Sequence, residues 1–419
     1  MIHLLIYRIV IGLYTLGIRV ASLFKPKAKL FIAGRRDLFT RLRQQLEAEQ
    51  RPRIWVHCAS LGEFEQGRPV IEQLRQRYPQ YAIVLTFFSP SGYEVRKNYD
   101  GADHIFYLPV DTGRNAARFL NIVKPSLCVF IKYELWYGYL SGIAERKIPA
   151  VLISAIFNER QGFFKWYGGL QRKMLTCFTH LYVQDDKSKA LLQGLGITNA
   201  SVSGDTRFDR VIKAAGQQAS LPQAAAFKQD HKILIAGSTW GEDEQLLHKA
   251  LPLLPADWKL ILVPHEVDAG HISEIEKLYG DTLTKWSTWN GQPTEKRVLL
   301  VDKVGFLLQL YSYGNAALIG GGFGSAGVHN VLEPAVYGMP CFYGPIYQQF
   351  REAIELIASG GAAEVRNAEE LANLIKSSSL PAMGQAAKEY VHSMSGATDV
   401  VMEGIKNYLP TVKQAGSNY

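Results

Sequence analysis

The chain has 419 residues, too many for one hydrophobic core, so roughly two or three domains are expected. It is 47% hydrophobic and 20% charged, an ordinary globular balance with ample material for buried sheets, and four scattered cysteines without a C-x-x-C pair exclude a disulfide framework or zinc site and point to a reducing compartment. The net charge of +8 lies entirely in residues 1–53, which hold 11 Lys/Arg against 3 Asp/Glu, while the remainder holds 35 of each sign; this argues against a nucleic-acid binder with a basic face across its domains.

Residues 1–24 are strongly apolar, but Arg8 and Arg19 interrupt them and leave a clean run of ten, short of the ~20 that span a bilayer. The two arginines are eleven residues apart, three helical turns, so they share a face near Gly12, Thr15 and Ser22. Such a helix lies in a membrane interface with its arginines snorkelling toward headgroups. Lys25, Lys27, Lys29, Arg35, Arg36, Arg41 and Arg43 follow and suit an anionic cytoplasmic leaflet. A cleaved signal peptide fits poorly, because no small-x-small site ends the run. An amphipathic helix docked on the protein is the plain structural alternative, and a tilted spanning helix stays open.

From Ile54 the pattern alternates between strands and helices. Strands are expected at 54–58, 82–88, 104–108, 127–132, 150–155 and 181–184, with helices near 63–77, 113–122, 135–146 and 186–194. Continuous apolar strands between helices imply a parallel sheet covered on both faces. A Pro, Gln and Ala-rich stretch marks a linker at 214–231. A second alternation follows, with strands at 232–236, 259–263, 298–301, 316–319 and 341–343. The chain closes on a long helical pattern over 382–409. The architecture expected is α/β, two doubly wound domains with their sheet ends facing a cleft.

The first strand ends in His57-Cys58-Ala59-Ser60-Leu61-Gly62-Glu63. Ser60 and Glu63 match a capping box, which by itself explains both residues. The functional alternative is that Glu63, at the carboxyl end of a strand, acts as a general base. Glu134, between Tyr133 and Trp136, closes the fourth strand; a salt bridge to an arginine is its simplest explanation. Arg160, Lys165, Arg172 and Lys173 interleave with four aromatics, a patch that suits phosphates on an apolar body or, alternatively, an amphipathic core helix.

In the second half, Gly237-Ser238-Thr239 turns a strand into a helix, where hydroxyls and free N–H groups could hold a phosphate. Thr239 and Glu242 fit another capping box, and three acidic residues in that first turn would compete with an anion. His265 ends the next strand at the same sheet edge. Gly320-Gly321-Gly322-Phe323-Gly324 then leads into a helical pattern from about 329 to 337, with Asn330 and Glu333 on one face. The glycine spacing is wrong for a dinucleotide fingerprint, and neither a Walker loop nor an Asp-x-Asp triplet occurs. A nucleoside monophosphate leaving group, stabilised without metal, is consistent with these absences.

Together the segments 57–63, Tyr133-Glu134-Leu135-Trp136, 152–160, Gly204-Asp205-Thr206-Arg207-Phe208-Asp209, 236–239, 263–265 and Gly327-Val328-His329-Asn330-Val331-Leu332-Glu333-Pro334-Ala335 resemble the Kdo transferases, which move 3-deoxy-D-manno-oct-2-ulosonic acid from CMP-Kdo to lipid A precursor. The resemblance implies a GT-B glycosyltransferase of the inverting, metal-independent kind, without a cofactor, on the cytoplasmic side of a bacterial inner membrane. Its partners would be CMP-Kdo, the lipid A precursor and the membrane surface, with no nucleic acid. It implies that Glu63 is the base on the acceptor hydroxyl and Glu134 a second active-site carboxylate. Ser238, Thr239, His265, Gly321, Gly322, Asn330 and Glu333 would serve CMP, with Arg207 and Arg160 as further substrate contacts. Tyr137, His265 and Arg207 depart from the usual family pattern.

The domains expected are a membrane-associated helix at 1–24, an acceptor domain at 25–213, the linker, a CMP-sugar domain at 232–381, and a terminal helical segment at 382–419 packing back on the acceptor domain. A nucleotide-sugar epimerase of the same architecture and a non-catalytic membrane-peripheral binding protein are the alternative readings.

Overall fold

The computed structural model describes residues 2–217, 220–292, 294–325 and 327–409. Residues up to 210, together with those from 395 onward, form one unit, and residues 211–394 form the other.

In the first unit, seven apolar segments pair as parallel strands: β1 (Arg53–Cys58), β2 (Ala82–Phe87), β3 (His104–Tyr107), β4 (Pro125–Ile131), β5 (Ala150–Ala155), β6 (His180–Val183) and β7 (Ala200–Val202). Their order is β3-β2-β1-β4-β5-β6-β7, so the chain starts in the middle, runs to one edge, then crosses back beside β1. Alternate side chains enter opposite faces of the sheet. Trp55, Phe106, Phe130 and Leu152 pack with Phe119 and Leu120 of the helix Gly113–Val123. Val56, Leu85, Val129 and Ile153 pack with Phe64, Val70 and Leu74 of the helix Leu61–Arg77. The central strands are buried almost throughout on both sides, which is why the sequence reads as apolar runs rather than as alternation.

The second unit repeats the plan. Strands β8 (Lys232–Thr239), β9 (Trp258–Pro264), β10 (Leu283–Lys285), β11 (Val298–Leu300), β12 (Ala316–Ile319), β13 (Cys341–Tyr343) and β14 (Ala362–Glu364) pair in parallel in the order β10-β11-β9-β8-β12-β13-β14. The doubly wound α/β architecture expected from the sequence is present in both sheets. The pattern missed β7, β10 and β14, three-residue strands at sheet edges that are too short to carry a visible apolar run.

Three other expectations need correction. The pattern over 329–337 forms only one helical turn, Leu332–Ala335. The long terminal pattern is two helices, Leu380–Ser393 and Ala397–Ile405, separated at Gly396, whose φ of +105° favours glycine. Residues 410–419 of that expected segment lie outside the described residues. The stretch 214–231 contains the helix Pro222–Lys228, with Ala224 and Phe227 buried.

The N-terminal helix, Ile2–Ala21, has two faces. Leu4, Tyr7, Ile11, Thr15 and Ile18 turn toward the first unit, where the Tyr7 hydroxyl donates to Asp111 at 2.6 Å and Tyr14, at the edge of that face, stacks on Phe88. Leu5, Ile9, Leu13, Leu16 and Val20 remain exposed on the other side. By length and composition this helix could cross a membrane. Not all the basic residues after it face outward. Arg35 donates to the Leu108 and Phe88 carbonyls and lies 3.5 Å above the Phe31 ring centre, and Arg41 binds the Gly34 carbonyl. Lys25, Lys27 and Lys29 are exposed.

After the second unit, the chain re-enters the first. Val401, Met402 and Ile405 join its core, and Asp209 caps the incoming helix by accepting from Gly396 N–H, Thr398 N–H and the Thr398 hydroxyl, each at 2.6 Å. Removing such a cap costs about 1–2 kcal/mol. Asp209→Ala is therefore expected to lower the thermal midpoint and to speed proteolysis around residues 394–397. Equal cleavage rates in the variant and the wild type would show that the cap does not hold this return.

Candidate active site

In an open parallel sheet, ligands bind beyond the carboxyl ends of the strands, where the strand order reverses. That point lies between β1 and β4 in the first unit, and between β8 and β12 in the second. Most of the residues singled out from the sequence follow one of these four strands.

Glu63 stands in the first turn after β1. Its Oε2 accepts from the Ser60 N–H at 2.8 Å and from the Ser60 hydroxyl, so the capping box is real. One oxygen satisfies the cap, and Oε1 has no hydrogen-bond partner among the described residues. Structural and catalytic readings of Glu63 are therefore compatible. Glu134 follows β4 and shows the same arrangement. Its Oε2 accepts from Trp136 Nε1 at 2.8 Å and lies 3.3 Å from His57 Nε2, so its partners are a tryptophan and a histidine rather than the arginine expected of a salt bridge. Both carboxylates act on the buried Cys58 thiol, whose pKa is raised well above the ordinary value, first by burial and then by Glu63 and Glu134.

The strand ends here carry unusual backbone. Lys132 (φ +57°), Ser154 (φ +54°) and Ser238 (φ +55°) adopt the left-handed region without being glycine. Such conformations cost of order 1–3 kcal/mol each and gather where a site imposes them. Two of the expected substrate contacts follow other strands, Arg160 after β5 and Arg207 after β7. Arg207 binds Asp205 through Nε and Nη2, at 2.9 and 2.8 Å, which fixes the direction of its guanidinium. Arg160 is exposed on the loop after β5.

The aromatic-basic patch is not one amphipathic helix. Phe163 is buried in a short 3₁₀ turn, Arg172 ties the loop through the Phe163 and Lys165 carbonyls, and Trp166 is 91% exposed. Between this patch and the N-terminal helix runs a mainly apolar groove of about 430 Å³, lined by Ile6, Val10, Leu135, Phe163, Leu170 and Met174 together with His3, Tyr7, Tyr133, Tyr167 and Gln171. Tyr133 and Leu135, the chain neighbours of Glu134, both line this groove.

In the second unit the glycines are needed for backbone contact. A Cβ on Gly322 would come within 2.6 Å of the Gly344 backbone nitrogen, and one on Gly320 or Gly321 would collide with the Ser238 or Gly327 carbonyl. The Gly321 N–H donates to Asp243 Oδ2 at 2.9 Å, and the same oxygen accepts from Trp240 N–H at 2.8 Å. The N-cap of this helix is Trp240 with Asp243, not Thr239 with Glu242. Thr239 is buried and its hydroxyl donates to Glu244 at 3.0 Å, which leaves Ser238 as the partly exposed hydroxyl of the pair. The acidic turn expected to repel an anion is thus largely structural, because Asp243 and Glu244 are buried and paired and only Glu242 is exposed.

Asn330 and Glu333 come together as expected, with Asn330 Nδ2 donating to Glu333 Oε1 at 3.0 Å. Asn330 precedes the helical turn, and its Oδ1 accepts from Leu332 N–H at 3.1 Å. His265 is exposed and stacks on both Trp240 (4.8 Å) and His329 (4.4 Å). Trp240 Nε1 donates to His329 Nε2 at 3.0 Å, which leaves the other His329 nitrogen to carry the proton of the neutral ring. The sequence reading omitted Trp240, Asp243 and His329. Their signal was position: Trp240 directly follows Ser238-Thr239, and His329 directly precedes Asn330.

A family model described as 3-Deoxy-D-manno-octulosonic-acid transferase (kdotransferase) matches residues 36–210. The chain is 30% identical over 326 residues to the 3-deoxy-D-manno-octulosonic acid transferase of Aquifex aeolicus, covering 76% of this chain and 83% of that protein. It is 29% identical over 374 residues to the protein of the same name from Haemophilus influenzae, covering 85% and 87%. Among solved structures, the UDP-GlcNAc 2-epimerase from Neisseria meningitidis bound to UDP-GlcNAc is similar at a TM-score of 0.59 and 14% identity, covering 85% of this chain and all of that one. This last likeness is one of fold alone, the GT-B arrangement of two α/β sheets.

The buried Asp243 and the half-buried His329, near the glycine loop, make opposite contributions to stability. Burial, then His265, lowers the His329 pKa from 6.5 to about 4, so acidification from pH 6.5 to 4 protonates the unfolded chain first and weakens the fold. Burial raises the Asp243 pKa from 3.8 to about 6, so the folded state takes up its proton first; that contribution is full below pH 3.8 and lost as pH rises through about 6. Between pH 7 and 4.5, His329→Gln should lose less thermal stability than the wild type and Asp243→Asn should lose more. Equal losses in all three proteins would mean that neither group titrates in this window.

Proposed function

This chain belongs to the 3-deoxy-D-manno-octulosonic acid transferase family, and we propose that it moves Kdo from CMP-Kdo to a lipid A precursor by one inverting displacement that needs no metal. The observation that carries this reading is the pair of carboxylates at the first reversal point, each with one oxygen held by two donors and the other oxygen open. Glu63 is the base. It takes the proton from the acceptor sugar hydroxyl as that oxygen attacks the anomeric carbon of Kdo, and the bond to CMP breaks as the new one forms. Glu134 is a second active-site carboxylate beside it.

The second unit serves CMP. Ser238, the Gly322 N–H and the proton-bearing nitrogen of His329 offer donors to the departing phosphate, of the kind that stabilise charge developing in a transition state, while Gly321, whose own N–H is held by Asp243, lets the backbone approach closely. His265 lies near the nucleotide, while Asn330 and Glu333 act as a linked pair, with Glu333 at the ribose hydroxyls. The acceptor is a lipid, which accounts for the apolar groove beside Leu135 and for the exposed Trp166. Arg160 and Lys165 then face its phosphates.

The apolar outer face of the N-terminal helix, with Lys25, Lys27 and Lys29 after it, supports attachment to the cytoplasmic side of the inner membrane. An epimerase or a non-catalytic binding protein of the same fold has no use for an ionisable pair together with an acyl-sized groove.

Positioned general bases contribute about 10²–10⁴-fold, so Glu63→Gln should lose most turnover of CMP-Kdo with a phosphorylated lipid A precursor while CMP still raises its thermal midpoint. The assay scores CMP release and mass gain on the lipid. Near wild-type turnover would leave Glu63 with its capping role only. For the membrane, Ile9→Glu with Leu16→Glu should abolish sedimentation with anionic phospholipid vesicles without lowering the thermal midpoint, since both side chains are more than half exposed. Unchanged sedimentation would remove this helix from the attachment.

A further inference from the structure

We infer that His57 is a positioning residue that orients Glu134 through a hydrogen-bond chain whose direction is set by Trp55. The inference rests on the reading of Glu134 as an active-site carboxylate. The chain runs along the ends of β1 and β2 in the core of the first unit. Trp55 Nε1 lies 2.8 Å from Thr86 Oγ1, Thr86 Oγ1 lies 2.9 Å from His57 Nδ1, and His57 Nε2 lies 3.3 Å from Glu134 Oε2. Trp55, His57 and Thr86 are each fully buried, so no solvent molecule replaces a missing partner at modest cost.

An indole N–H can only donate. Thr86 Oγ1 therefore accepts from Trp55, and its own proton goes to the nearer of two acceptors, His57 Nδ1 at 2.9 Å rather than the Val56 carbonyl at 3.4 Å. With Nδ1 accepting, the ring proton is on Nε2, the nitrogen that faces Glu134. The opposite tautomer would donate from Nδ1 to Thr86 Oγ1 or to the Thr86 carbonyl at 3.2 Å, would send the threonine proton to the more distant Val56 carbonyl, and would turn the Nε2 lone pair toward a carboxylate oxygen. The threonine hydroxyl, through its nearer acceptor, and the carboxylate that faces Nε2 together select the Nε2–H state.

The second donor to the same oxygen is fixed as well, because the Trp136 indole lies against Phe88 with ring centres 4.4 Å apart. With Oε2 held from two directions, the open Oε1 of Glu134 is directed by the protein rather than by its own rotamers. Glu63 reaches the same state by a local route, its own helix cap. Glu134 follows a strand that ends in a strained turn and has no cap to use, so its orientation must come from the core.

The test uses Thr86, which touches no substrate. Thr86→Val removes the hydroxyl at nearly constant volume, and Thr86→Ser keeps it. In Thr86→Val we expect kcat to fall about 10–100-fold, the range for partners that orient a functional group from behind, while KM for CMP-Kdo stays within about twofold. Thr86→Ser should restore most of the rate. Ring ¹⁵N shifts of histidine-labelled protein, with His57 assigned by its loss in His57→Gln, should report the Nε2–H form in the wild type and the Nδ1–H form in Thr86→Val.

An Nδ1–H ring in the wild type, or full kcat in Thr86→Val, would overturn the inference. So would equal loss in the Val and Ser variants, which would mark a packing role. Should Thr86→Val fold poorly, the wild-type ring shifts decide alone. Glu134→Gln separates the premise from the inference: near wild-type turnover there removes Glu134 from the reaction, whereas the ring shifts read the hydrogen-bond chain whatever Glu134 does.

Discussion

The constraint on which the rest of the structure depends is the handedness of the connection between parallel strands. A strand, a crossover helix and the next parallel strand wind right-handed almost without exception. A chain that starts at a central strand, builds outward to one edge and then crosses back must therefore change the face on which its helices lie. At the change the loops part, and a crevice is left above the sheet. In the first unit the crevice falls between β1 and β4, and in the second between β8 and β12. Nothing about catalysis is needed to create it. The sequence has only to supply strands apolar enough to be buried on both faces, and whatever residue follows each flanking strand then becomes a wall of the crevice.

The two crevices share this origin and differ in chemistry. The first is walled by ionisable side chains, each fixed at one oxygen: Glu63 by its own cap, Glu134 by His57 and Trp136. The second is walled mainly by backbone. Its glycines pack against Ser238, Gly327 and Gly344 so closely that no side chain fits, and Asp243 ties the Gly321 and Trp240 N–H groups to one carboxylate oxygen. With those two N–H groups already bonded, what this crevice offers an anion is chiefly the Ser238 hydroxyl and the neutral His329 ring. Such a surface suits an anion that must be held and then released, because its dipoles are already oriented and it carries no full counter-charge to trap the product.

The fold was legible because burial on both faces of a parallel sheet writes itself as apolar runs, and these located eleven of the fourteen strands. The remaining three are edge strands of three residues, stabilised by a neighbour's backbone rather than by their own side chains. The pairs Ser60–Glu63 and Asn330–Glu333 were legible because both members lie within one turn. Contacts between separate elements were not. Asp205 closing the Arg207 fork is near in sequence, but His57 meeting Glu134 spans 77 residues, and the Trp240–His329 hydrogen bond spans 89. The break at Gly396 was hidden for another reason: helical periodicity continues on both sides of it, and the cap that fixes the second helix comes from Asp209, far away in the chain.

Fold and family speak to different questions here. The likeness to an epimerase at 14% identity covers the whole of that chain, so the two-sheet scaffold by itself does not choose between epimerisation and transfer. Both reactions require a cradle for a nucleotide, and in the function proposed above the glycine loop and its histidine stack would supply it. What transfer adds is a second substrate, with a base to activate its hydroxyl and a surface to receive the rest of it. The first unit is where this chain has such features: two carboxylates with open oxygens, a mainly apolar groove lined by the chain neighbours of one of them, and a helix whose outer face is left without cover. A lipid acceptor explains all three together, because a hydroxyl to be deprotonated, acyl chains to be received and a membrane to be approached are properties of one molecule.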